Sequence, residues 1–197
     1  MKKILFFTTL FVFCIGVCCF YNVTPDNDLW ARLIAGKYII EHLSVAKFDF
    51  LSYTPTHPWY DHEWGASIFF YLALKYFGHA GLIFLKGILS FLTMFFCVKT
   101  IEIRKPVSTH PYNIFYYALL FWIVSISLGA VVRCLLFTCL FFAIFIFILE
   151  KYRIQKSKCI YLLPVLMLFW GNIHGGCISA FGLFAIYILG EFLNKKP

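Results

Sequence analysis

Apolar positions along this chain come in long runs broken by short polar stretches. The runs are Ile4–Tyr21, Gly81–Val98, Ile114–Leu128, Leu135–Leu149, Ile160–Trp170 with a tail to His174, and Cys177–Leu189. Runs near the bilayer-spanning length of about 17–25 residues predict transmembrane helices, so the pattern predicts an all-α polytopic membrane protein with about six spans. A seventh run, Ala66–Phe77, is shorter and carries Lys75. It reads as an interfacial or re-entrant helix. Lys2 and Lys3 ahead of the first run resemble a signal peptide, but no pair of small residues after Gly16 supplies a cleavage site. An uncleaved first span is the expectation.

Between the first run and Gly81 lies a polar segment, about residues 22–79, which reads as one long loop. Leu29, Leu33, Gly36, Ile40 and Leu43 make a stripe at helical spacing, with Trp30 and Ile34 beside it and Lys37 and Glu41 paired on another face. This predicts an amphipathic helix lying on the membrane surface. "SYTPTHPWYDHEW" follows, and Pro55 and Pro58 keep it extended. The loop carries Trp30, Tyr38, Tyr53, Trp59, Tyr60 and Trp64, a composition unlike that of disordered segments.

Composition strengthens the membrane reading. The chain has 197 residues, of which 62% are hydrophobic and 13% charged. The net charge of +8 could suggest nucleic acid, but its distribution argues otherwise. With six spans and a cytoplasmic amino terminus, eleven basic residues fall inside and five outside, with Lys86 within a span. That fits the positive-inside rule and excludes a nucleic-acid partner. If Ala66–Phe77 crossed, every later basic loop would change sides. The eight cysteines sit almost entirely within apolar runs and form no CxxC or Cys/His metal spacing.

The same topology places six of the nine acidic residues in the long loop, on the outer face, along with four groups of chemically capable residues. Asp26-Asn27-Asp28 lies just beyond the first run. There Asp28 reads either as the cap of the amphipathic helix or as a working carboxylate at the membrane boundary. Asp61, His62 and Glu63 lie between aromatics in "WYDHEW", either as solvated charges in an aromatic belt or as proton-transfer groups or metal ligands. Arg133 is the lone charge between two spans, suited either to snorkelling or to binding phosphate or carboxylate. In "WGNIHGG", Trp170, Asn172 and His174 alternate ahead of Gly175-Gly176. A plain turn needs the glycines but not Asn172 and His174, which favours a site.

"PDNDLWARLIAGKYIIEH", "DFLSYT", "WYDHEW", Arg133 and "WGNIHGG" together resemble a group of bacterial multi-spanning proteins. Those look like glycosyltransferases of the GT-C type, the superfamily of oligosaccharyltransferases and protein mannosyltransferases. The resemblance covers about residues 1–190. Where members of the group usually carry Pro and Gln after the arginine, this chain has Cys134 and Leu135. Members also tend to be longer, so the single domain 1–197 reads as the amino-terminal portion, a fragment or a short form. The resemblance implies transfer of a sugar from a polyprenyl-phosphate carrier to an acceptor on the outer face of the cell inner membrane. It implies Asp28 or Asp26 as general base, and Arg133 and His174 against the departing phosphate. It also implies Asn172, Trp170 and His62 in substrate binding, with Asp61 and Glu63 holding a divalent cation such as Mg or Mn, or the acceptor. The rival expectation is a non-catalytic accessory subunit that binds lipid-linked glycan or a partner transferase. A transporter ranks last, because apart from Lys86 the spans carry almost no ionisable residue.

Overall fold

The computed structural model describes residues 2–20, 26–54, 58–104 and 131–194. Among these, every regular element is helical. The α-helices are α1 (Lys2–Phe20), α2 (Asn27–His42), α3 (Trp64–Arg104), α4 (Leu135–Gln155), α5 (Leu163–Ile173) and α6 (Ser179–Asn194), with 3-10 turns at Lys158–Leu162 and Gly175–Ile178. Among the described residues, three stretches are long and apolar enough to cross a membrane: Trp64–Arg104, Leu135–Gln155 and Gly175–Asn194. Phe6–Gly16 and Lys158–Ile173 are apolar but shorter. The expected span Ile114–Leu128 lies outside the described residues, as does Pro55.

Helix α3 is two helices joined at a bend. At Gly78 the backbone takes φ 61° and ψ −155°, a conformation that L side chains rarely adopt. The bend brings Gly81 back against the Ala73 carbonyl and the Phe77 side chain. The run Ala66–Phe77 is thus a helical arm, 64–77, ahead of the longer arm 79–104. On the longer arm Lys86, Ser90 and Thr93 are buried at helical spacing, and Gly87 meets Ile15 of α1.

Helix α2 packs against the first arm of α3, backbone to backbone. A Cβ at Gly36 would overlap the Ser67 carbonyl oxygen and come within 2.8 Å of the Tyr71 Cβ. The buried face of α2 is Leu29, Arg32, Leu33, Ala35, Gly36 and Ile39. It is rotated from the expected stripe: Ile40 is half-buried, and Leu43 lies beyond the helix, exposed, at φ 52°. That face is covered by protein, and Trp30 and Ile34 are the apolar residues left half-exposed. Asp26 caps the helix: its carboxylate accepts from the Asp28 N–H at 3.3 Å, and its carbonyl accepts from Leu29 N–H. Asp28, the expected cap, sits in the first turn instead.

Two apolar clusters follow one another along α4. Near its start, Leu136 and Phe137 pack with Leu29 and Leu33 of α2, and Phe70 and Leu82 of α3. Further along, Phe145, Ile148 and Leu149 pack with Leu163, Trp170 and Leu183. Without glycine or proline between Leu135 and Gln155, α4 runs unbroken until Lys156, whose φ is 52° and whose N–H bonds Tyr152. Helix α6 buries only Ala180 and Leu183. Its other faces are apolar and exposed, as suits a helix solvated by lipid.

Candidate functional site

The ends of α2, α3 and α4 meet the chain after α5 around a cavity of about 250 Å³. Its charged and polar wall is Asp28, Arg32, Glu63, Arg133 and His174, with Leu29, Phe70, Val132, Cys134 and Leu135 completing it. Four of these five polar side chains are delivered by helix ends, and Arg32 stands one turn further into α2. Asp28 is in the first turn of α2, Glu63 precedes Trp64 at the start of α3, Arg133 precedes α4, and His174 ends α5.

Two arginines organise the carboxylates. Arg133 pairs with Asp26 through Nε and donates from Nη2 to Asp28 Oδ2 at 2.8 Å. The two carboxylates raise the pKa of the Arg133 guanidinium further above its ordinary value. Among the described residues, Asp28 Oδ1 has no partner, and the Asp28 side chain is 65% exposed. Arg32 is buried among the leucines of α2. It donates to Asp61 Oδ1 at 2.5 Å and lies 3.7 Å from Glu63 Oε2. Asp61 also accepts from the Glu63 N–H at 2.9 Å, which fixes the turn into α3.

His174 is held at both ring nitrogens. Nε2 lies 3.3 Å from Glu63 Oε1, while Nδ1 meets the Thr138 hydroxyl at 2.7 Å and the Gly176 N–H at 3.0 Å. Burial pushes its pKa below the ordinary histidine value. Glu63 opposes that shift, and His62 and Arg133 add to it. Burial, with Glu63 nearby, pushes the Cys134 thiol up to about 12, so this cysteine stays protonated and is a poor nucleophile.

The structure therefore brings Asp26, Asp28, Glu63, Arg133 and His174 together from distant parts of the chain. It assigns other expected site residues to neighbouring roles. Trp170 is fully buried, stacked on Phe141 and edge-on to Phe145, and is absent from the cavity wall. Its indole donates to Thr138 at 3.0 Å. Asn172 accepts from the Trp64 indole at 2.9 Å and donates to the Leu168 carbonyl, strapping α5 to the start of α3. The expected alternation of Trp170, Asn172 and His174 gives way to helical spacing. Because α5 runs to Ile173, with His174 N–H bonded to the Trp170 carbonyl, residues 170 and 174 share a face and 172 leaves it. His62 is 70% exposed and 3.9 Å from Glu63.

Asp61 and Glu63 do not fit a divalent cation, because the Arg32 guanidinium stands between them, a cation already in place. Among the described residues, no group of three or more His, Cys, Asp or Glu side chains could hold a metal. Sequence reasoning missed Arg32 and Thr138 as site residues. Arg32 carried a signal, standing at i+3 from Leu29 and i−4 from Gly36 on the buried stripe. Thr138 carried a fainter one, as the only hydroxyl between Leu135 and Leu149.

Comparison with family models, with curated proteins and with solved structures finds no match for this chain.

Proposed function

We propose that the protein is a membrane transferase of the GT-C kind, moving a sugar from a polyprenyl-phosphate carrier to an acceptor at the outer face of the cell inner membrane. In this reading the amino terminus is cytoplasmic and the cavity opens outward. The observation that carries it is the pairing of Asp28 with Arg133 on one cavity wall, with Asp28 Oδ1 unpartnered among the described residues and largely exposed. A base and an anion-binding group are thus set side by side.

Each residue's role follows from its chemistry. The acceptor hydroxyl loses its proton to Asp28 Oδ1 as its oxygen bonds to the anomeric carbon. The bond from that carbon to the carrier phosphate breaks, and its electron pair leaves with the phosphate oxygen. Arg133 stabilises the charge that develops there, and His174 adds a donor from the cavity wall. Asp26 and Asp28 compete with phosphate for Arg133, so the bound phosphate displaces part of that pairing.

The same pairing favours a second reading, a non-catalytic accessory subunit whose Arg133 is satisfied within the chain and which binds lipid-linked glycan or a partner transferase. Purified full-length protein incubated with radiolabelled polyprenyl-phosphate sugars and an acceptor mixture separates the two. Transfer by the wild type, lost in Asp28→Asn with donor binding retained, supports the enzyme. Binding without transfer supports the accessory subunit. Absence of binding sinks the lipid-linked donor in both readings.

A further inference from the structure

The bonds around His174 fix more than its position. The Gly176 N–H is a backbone donor whose hydrogen direction is set by the peptide plane, and it points at Nδ1 from 3.0 Å. That nitrogen must therefore present its lone pair. Thr138 can meet the same lone pair from the other side. Its oxygen accepts the Trp170 indole N–H at 3.0 Å, and its own proton is then free to be donated to Nδ1, 2.7 Å away. With Nδ1 an acceptor, a neutral imidazole carries its single proton on Nε2. Nε2 faces the cavity and the Glu63 carboxylate at 3.3 Å.

We infer that Trp170, Thr138 and the Gly176 N–H form a relay that locks His174 as the neutral Nε2–H tautomer, so that it offers the cavity a hydrogen-bond donor and not a positive charge. Thr138 is the positioning residue of this relay. It lies on α4 at the cavity end and is absent from the cavity wall, so it acts only through His174. Trp170, at the end of the relay, is anchored between Phe141 and Phe145. Glu63 Oε1 faces the protonated Nε2 from 3.3 Å until an oxygen of the ligand takes the carboxylate's place. A doubly protonated ring would put a third hydrogen between Nδ1 and two donors already aimed at it. The relay thus limits which form of the ring the cavity can use.

The relay deepens the transferase reading by making His174 a neutral donor to the carrier phosphate, yet it can be tested with no substrate present. Full-length protein with 15N-labelled histidine, in detergent micelles, is compared with His174→Gln to identify the His174 ring signals. The wild type is expected to show a single Nε2–H tautomer at pH 7.5. Thr138→Val is expected to lose that pattern to an averaged one, and Thr138→Ser to restore it. An averaged or Nδ1–H pattern in the wild type overturns the inference, as does a Thr138→Val spectrum unchanged from wild type. Should Thr138→Val fail to fold, Trp170→Phe removes the indole donor while keeping an aromatic ring. It too is expected to weaken the pattern, and no change there counts against the relay. Because the spectra need no donor lipid, a failed transfer assay leaves this result standing, and a failed tautomer assignment leaves the role of Asp28 standing.

Discussion

Each end of α4 carries a cluster of charge, and the two are built on opposite principles. Toward the end away from the cavity, Glu150 is buried and saturated. Arg104 grips it with two bonds of 2.9 and 2.7 Å, Tyr187 donates at 2.6 Å, and Arg153 stands 3.6 Å away. One carboxylate there is met by three hydrogen bonds and a further cation, drawn from α3, α4 and α6. At the cavity end the proportion is reversed. Among the described residues, the four carboxylates of Asp26, Asp28, Asp61 and Glu63 share two guanidinium groups, those of Arg32 and Arg133, and Asp28 keeps an oxygen unpartnered. The first cluster is closed and joins helices. The second is open, with Arg133 and Asp28 largely exposed.

Three substitutions sharpen that contrast. The largest effect is expected from Glu150→Ala, which strands the Tyr187 hydroxyl and unties α3 from α4. Thermal unfolding in detergent should show a loss on the order of 2 kcal/mol, since the half-exposed Arg104 can be resolvated. A melting temperature equal to wild type would remove the stapling role. Next come the two aspartates of the cavity. Asp26→Ala removes a helix cap and should cost about 1 kcal/mol, while Asp28→Ala should melt closer to wild type and yet lose transfer. Equal melting losses with transfer retained in Asp28→Ala would mean that both serve the fold alone.

The smallest effect is expected at His174. Its pKa is lowered on folding, so between that lowered value and the ordinary value of about 6.5 the unfolded chain binds more protons. Stability should then rise with pH across this window and fall as pH drops below about 6.5. Comparing melting curves of wild type and His174→Gln across that range checks it. The slope difference should vanish above about pH 7, and a slope of opposite sign would contradict the burial of the ring.

The sequence made the helices readable because a span announces itself locally: the runs at 81–98, 135–149 and 177–189 all fall in helices. The convergence of Asp28, Arg133 and His174 was legible only as a shared side of the chain. Arg133 and Asp28 are 105 positions apart, and no periodicity encodes such a pairing. The bend at Gly78 was hidden for another reason. A glycine between two apolar runs does not reveal whether the chain passes straight through or turns back. Arg32 was overlooked because a charged residue on an apolar stripe looks like an interruption, whereas here its carboxylate partners lie under the same face.

The close approach at Gly36 has a consequence for how this cavity can change. Glu63 sits one turn ahead of Ser67, whose hydroxyl donates to the Glu63 carbonyl at 3.2 Å, and Asp28 sits about two turns ahead of Gly36. The distance across the cavity is therefore set where two main chains touch, away from the residues that line it. Wall side chains outside the packed core can be exchanged while the frame keeps its dimensions. A library varied at Leu135, the half-exposed apolar residue of the wall, with Gly36 held constant would sample ligand preference on one fixed scaffold.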